Sequence, residues 1–248
     1  MSIPFGDARP SSSDDLLAAS GQGQGPAQGQ GQGQGPGREP GPSTASGPGP
    51  AENLWVAAVR RNPEHARGYA ERWRRIEASG QDIYGEARLI DAMAPRGARI
   101  LDAGCGNGRL GGHLARAGHR VVGVDLDAHL IDVAREDHPA ARWEVGNLAE
   151  LDVRDAEGRR EQFDLALSAG NVLTFLAGSE RRPALARLGE HLADDGRLVV
   201  GFGLDRGYDL DDFAADAEAA RLRLAQRFST WDLRPANEQF LVGILEHA

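Results

Sequence analysis

The stretch Ile100–Asp127, ILDAGCGNGRLGGHLARAGHRVVGVDLD, decides the architecture. An apolar run, RILDA, leads into a loop with glycines at alternate positions, Gly104, Gly106 and Gly108. A helical pattern follows from Arg109 to Ala117, and then a second apolar run, RVVGVD, closes on Asp125. Strand, glycine loop, helix, strand and acid is the pattern of a unit that binds a nucleotide-like ligand. Glycines let the backbone approach the ligand while helix N–H groups face it. An acid at the end of the second strand, about 20 residues after the first glycine, is placed to accept from both hydroxyls of a ribose.

Dinucleotide-binding loops read GxGxxG, and the third glycine admits close helix–strand packing over a pyrophosphate. Here that position is Arg109, the glycines read GxGxG, and an acid, Asp102, precedes them. A carboxylate is a poor neighbour for pyrophosphate and a good one for an ammonium group. A cofactor joining adenosine to an amino acid satisfies both ends, which favours S-adenosylmethionine (SAM) over NAD. An NAD-linked oxidoreductase remains the alternative, supported by topology alone; a SAM-binding protein without activity is another.

Outward from this unit, strand and helix patterns alternate. RWEV and FDLALS read as strands three and four, then a helix runs from about Arg181 to Leu192, and GRLVVGFG is strand five. A helix across Asp211–Ala220 precedes two strand candidates, RLRLAQRFSTWDL and EQFLVGILEH, close enough to pair antiparallel. Alternating βα units predict an α/β fold, a mostly parallel sheet with helices on both faces. Before it, residues 54–80 read as helical with a break at Asn62-Pro63, and Gly85–Met93 is a short helix ended by Pro95. Residues 1–50 form a Gly/Gln/Pro-rich tail with almost nothing to bury, expected to be disordered. Residues 51–248 are the folded domain, with a helical lid over about 53–95 and a core over about 97–248.

Composition excludes several chemistries. All 28 basic residues are arginine, so a P-loop lysine, a Schiff base and a kinase lysine are impossible. A single cysteine, Cys105, rules out an internal disulfide, and no histidine spacing suggests a metal site. The net charge of −9 disfavours a nucleic-acid partner. No apolar run is long enough for a bilayer and no secretory pattern opens the chain, so the expected compartment is the cytoplasm. Oligomeric state is not readable.

LDAGCGNGRL and GVDLD resemble the first two motifs of the class I SAM-dependent methyltransferases. WEVGNLAEL is similar to the segment that packs against adenine, and FDLALSAGNVLTF to the motif after strand four. The resemblance covers roughly Asn53 to the C-terminus. It implies a Rossmann-like, doubly wound, seven-stranded sheet with a reversed last strand. By motif, Asp102 and Gly104 face the methionine end, Gly106 and Gly108 shape the loop, Asp125 holds the ribose and Leu126 lies against adenine. Asn147 stands where an Asp often contacts the adenine amino group, Leu148 follows with its backbone N–H, and Asn171 marks the meeting of cofactor and substrate. An Asn/Asp-Pro-Pro-aromatic signature of many amino-group methyltransferases is replaced by SAGNV. Methyl transfer from a sulfonium forces no catalytic residue, and none is assigned. Candidate acceptor contacts are Tyr69 and Trp73 on the lid, and Asp205, Arg206 and Tyr208 after strand five. The expected acceptor is a small molecule. His113, His119 and His191 read as packing or surface residues.

Overall fold

The computed structural model describes residues 49–248; the expectations for the Gly/Gln-rich tail lie outside these residues. Seven strands form one sheet: β1 Arg99–Ala103, β2 Arg120–Asp125, β3 Arg142–Val145, β4 Phe163–Ser168, β5 Leu192–Gly203, β6 Leu222–Phe228 and β7 Phe240–His247. Their order is β3-β2-β1-β4-β5-β7-β6. Strands β1 to β5 pair in parallel, and β7 inserts antiparallel between β5 and β6. The closing antiparallel pair is as expected. That β7, rather than β6, lies next to β5 is a matter of long-range pairing that no local pattern encodes.

Alternation within the strands separates two apolar layers. Ile100 joins Ala87, Ile90, Leu110 and Leu114 on one face. Its neighbour Leu101 joins Leu185, Leu188 and Phe213 on the other. Burial on both faces explains why β1, β4 and β5 read as nearly unbroken apolar runs. Helices α3 (Gly85–Met93) and α4 (Arg109–Arg116) cover the first face; α7 (Gly178–Glu190) and α8 (Leu210–Ala219) cover the second. The N-terminal helices α1 (Leu54–Arg61) and α2 (His65–Ala78) break at Asn62 as expected, and α2 packs on α5 (Ala128–Asp137).

Three local features differ from the sequence reading. Helix α7 starts at Gly178 rather than near Arg181, because the Glu180 carboxylate accepts from the Ala177 backbone N–H at 2.9 Å and closes its first turn. A four-residue helix, α6 (Val172–Phe175), and a single helical turn at Leu148–Glu150 were not foreseen; both are too short for periodicity to register. Strand β5 begins four residues before Gly196, across an irregularity in its pairing with β4.

Candidate active site

The sheet order reverses between β1 and β4, and ligands of open α/β sheets bind beyond the carboxyl ends of the strands at that switch point. Gly104 and Cys105 follow β1 there, and both backbone N–H groups donate to the Val124 carbonyl of β2. Gly108 caps α4 with φ 78°, and a Cβ there would lie 2.8 Å from Ala134 Cβ and 2.9 Å from Trp143. Gly108 is thus required by packing as well as by the turn. Gly106 is the position under the lid: a Cβ on it would lie 3.4 Å from the Tyr69 hydroxyl oxygen.

Asp125 closes the loop from the other side. Its Oδ2 accepts from Gly106 N at 2.9 Å and its Oδ1 from Asp127 N at 2.9 Å. Burial pushes its carboxyl up to about 6, against the pull of these backbone N–H groups toward the ionised form. Each carboxylate oxygen keeps further lone pairs after these bonds. Asp102 is 2 % exposed, and its Oδ2 accepts from Gly111 N at 2.8 Å. Burial raises it to about 7. It is buried and braced on α4 through this bond.

The N-terminal helices α1 and α2 are pinned to this loop. Asn53 caps α1, Trp55 Nε1 donates to Asp127 Oδ2 at 2.8 Å, and Trp55 meets Tyr69 edge-on at 5.3 Å. Leu126 packs into the same cluster of Trp55, Tyr69, Leu130 and Val133. Trp73, in contrast, is turned away from Gly106: it is 4 % exposed and stacks under the Arg109 guanidinium at 4.3 Å. Arg109 donates to Glu86 at 2.7 Å and to the Ile83 carbonyl. The residue that replaces the third dinucleotide glycine is therefore a buried tie between α4, α2 and α3.

On the far side, Asn147 follows β3, with Oδ1 accepting from Ala149 N at 2.9 Å; Leu148 is buried behind it. Asn171 has φ 67°, and its Oδ1 accepts from Gly203 N at 2.9 Å, which locks the end of β4 to the end of β5. Asp205 and Arg206 fold back over Gly203, within 3.0 and 3.2 Å of where its Cβ would stand. Tyr208 is a correction to the expected acceptor contacts. It is 1 % exposed, stacked on Phe202, and its hydroxyl meets Asp216 at 3.0 Å. The apolar alternation of β5 and α8 draws the ring into the core, where it borders a cleft of about 540 Å³ with Arg181 and Asp212, away from the glycine loop. His191 is a packing residue, fully buried between Val153 N and the Arg187 carbonyl.

Sequence reasoning missed Glu180, Asp127 and Asn53. Glu180 carried a local signal, an acid three residues after a helix cap; the Trp55–Asp127 bond spans 72 positions and carried none. Among the described residues no group of His, Cys, Asp and Glu is arranged to hold a metal. No helix there is long and apolar enough to cross a membrane.

A seven-stranded sheet of this order, with β7 reversed and a glycine loop and acid at the switch point, defines the class I methyltransferase fold. Residues 100–196 match the family model described as a methyltransferase domain. A TehB-like SAM-dependent methyltransferase from Corynebacterium glutamicum superposes with a TM-score of 0.71 at 52 % identity, covering 75 % of this chain and 100 % of that one. Curated relatives include a dTDP-3-amino-3,6-dideoxy-α-D-glucopyranose N,N-dimethyltransferase of Streptomyces fradiae. It is 31 % identical over 50 % of this chain and 48 % of its own. A malonyl-[acyl-carrier protein] O-methyltransferase of Pectobacterium atrosepticum is 31 % identical over 42 % of this chain and 40 % of its own. The chain thus spans about half the length of these curated relatives or less. It belongs to the SAM-dependent methyltransferases.

Proposed function

We propose that this methyltransferase transfers the methyl group of SAM to a small-molecule acceptor above the carboxyl ends of β1, β4 and β5. The observation that carries the placement is Asp125, a half-buried carboxylate at the end of β2, bonded to the loop at Gly106 and with lone pairs to spare. Such a group fits a ribose diol, which donates two hydrogen bonds to one carboxylate. Asp102, beneath the loop, supplies negative potential for an ammonium group at the methionine end, although its own lone pairs are partly taken. Gly104 and Gly106 let the backbone pass close to the ligand, Leu126 offers the apolar face for adenine, and Asn147 with the Leu148 N–H reads the purine edge.

SAM supplies a methyl on a sulfonium, a good leaving group, so the chain's task is to orient an attacking atom and keep water away. Asn171, by fixing the β4 and β5 ends together, sets the floor on which that atom is held. Tyr69 covers Gly106 and shields the loop. Asp205 and Arg206 stand at the rim over Gly203, placed to touch the acceptor.

A small acceptor is supported by the net charge of −9, which repels polyanions. The two relatives above are named for an aminosugar nucleotide and a carrier-bound malonyl group, neither a nucleic acid. The test is incubation with SAM and separate metabolite, protein and nucleic-acid fractions, following the demethylated product S-adenosylhomocysteine (SAH) and methylated species by mass. Turnover confined to protein or nucleic-acid fractions would overturn the acceptor class. SAH binding with no turnover in any fraction would favour a binding protein without activity.

A further inference from the structure

Glu180 belongs to none of the motifs, yet its carboxylate gathers three donors from three separate parts of the chain. Oε1 accepts from Asn147 Nδ2 at 3.0 Å. Oε2 accepts from Asn53 Nδ2 at 3.2 Å and from Ala177 N at 2.9 Å. The other end of the Asn147 amide, Oδ1, accepts from Ala149 N at 2.9 Å. An ionised carboxylate only accepts and a backbone N–H only donates, so both neighbours impose the same orientation on the Asn147 amide. Its oxygen retains a second lone pair on the half-exposed side of the loop after β3.

We propose that Glu180 is a positioning residue that sets the base specificity of the cofactor site. By taking the Asn147 NH2, it presents the Asn147 oxygen, an acceptor, to the 6-amino group of adenine. A 6-oxopurine would set oxygen against oxygen there and is rejected. The inference rests on the assignment of Asn147 to the adenine edge. The same carboxylate holds the cap of α1 through Asn53, so the base-reading loop and the first lid helix share one anchor.

Glu180→Gln tests this with little change in shape. The Ala177 N–H cannot rotate away, so the Gln oxygen stays on it and on Asn53. The Gln NH2 then faces the Asn147 NH2, donor against donor. Turning the Asn147 amide relieves that contact but sets its NH2 against the Ala149 N–H, so neither orientation is satisfied and the oxygen is no longer held toward the ligand. Calorimetry with SAH and with S-inosylhomocysteine, which carries a carbonyl in place of the 6-amino group, reads the outcome. The wild-type protein is expected to prefer SAH at least tenfold, E180Q threefold or less, and Asn147→Ala threefold or less. If N147A loses the preference while E180Q keeps it, the role of Glu180 is overturned and that of Asn147 stands. If N147A keeps the wild-type ratio, or the wild type shows no preference, the assignment of Asn147 falls and the inference with it. Equal weakening of both ligands in E180Q, with the ratio intact, would reduce Glu180 to a structural cap and overturn the proposal. Should E180Q fail to fold, Glu180→Ala leaves the Asn147 amide held by the Ala149 N–H alone, and its ratio is expected to fall below threefold; an unchanged ratio shows that Ala149 suffices to orient Asn147 and overturns the proposal there too.

Discussion

Asp102→Asn isolates the energetic cost of the acid beneath the glycine loop. Asp102 is 2 % exposed, its carboxyl is raised to about 7 from 3.8, and burial is the first cause. The folded protein therefore holds a proton that the unfolded chain has lost between about pH 4 and pH 7. Stability falls as pH rises through that window wherever the folded state binds more protons. A shift of about 3 units at about 1.4 kcal/mol each corresponds to about 4 kcal/mol. An Asn at this position still accepts from Gly111 N through its amide oxygen and carries no charge to desolvate. Urea denaturation of both proteins across pH 4 to 8 should give a stability difference that moves in favour of D102N by about 4 kcal/mol, with the change complete by about pH 8. Part of the rise at Asp102 comes from the nearby Asp125 carboxylate, whose charge disfavours a second one beside it. Parallel curves for the two proteins, differing by less than about 1 kcal/mol across the range, would refute the claim that Asp102 is ionised at a cost.

Asp125→Asn should weaken SAH binding at least tenfold at pH 8, about 1.4 kcal/mol, because it removes one acceptor oxygen and the charge. Wild-type affinity should decline as pH drops below about 6, where Asp125 takes up its proton, while D125N stays flat over that range; matching pH profiles in calorimetry would contradict the ribose assignment. Arg109→Gly restores the dinucleotide glycine but strands Glu86, whose side chain is 13 % exposed. Loss of a partner from a buried pair costs about 3–5 kcal/mol, and a denaturation midpoint unchanged from wild type would show the tie to be dispensable. Tyr208→Phe keeps the stacked ring and loses the Asp216 bond, so stability should fall by about 1 kcal/mol with SAH affinity and acceptor KM unmoved. A tenfold rise in either constant, with melting intact, would return Tyr208 to the acceptor site.

The parts of this molecule legible in sequence are those whose cause is local. Ile100–Asp125 announced itself because strand alternation, a glycine loop and a helix face are each set within a few residues, and GxGxG with Arg109 separated the loop from the dinucleotide kind. Tyr208 misled for the opposite reason. A tyrosine among acids after a strand reads as exposed, and only the packing of Phe202 and Phe213 around it decides that it turns inward. Trp73 likewise has the spacing of a lid residue, but its partner Arg109 lies 36 positions away, so its direction was set by a pairing that no window of sequence contains.

The same distinction explains where the site's precision resides. The motif residues supply the groups that would touch the cofactor, and each side chain is bonded to a neighbouring group that fixes its direction. Asp125 is paired through Gly106, Asn147 through Glu180, Asn171 through Gly203, and Asp127 through Trp55. Hydrogen-bonded supports of this kind hold a side chain in one orientation before the ligand arrives, so binding loses less conformational entropy. Glu180 and Trp55 have no motif to mark them, and they control orientation rather than contact. Substitutions at these two positions should therefore alter ligand selectivity and affinity more than they alter the fold.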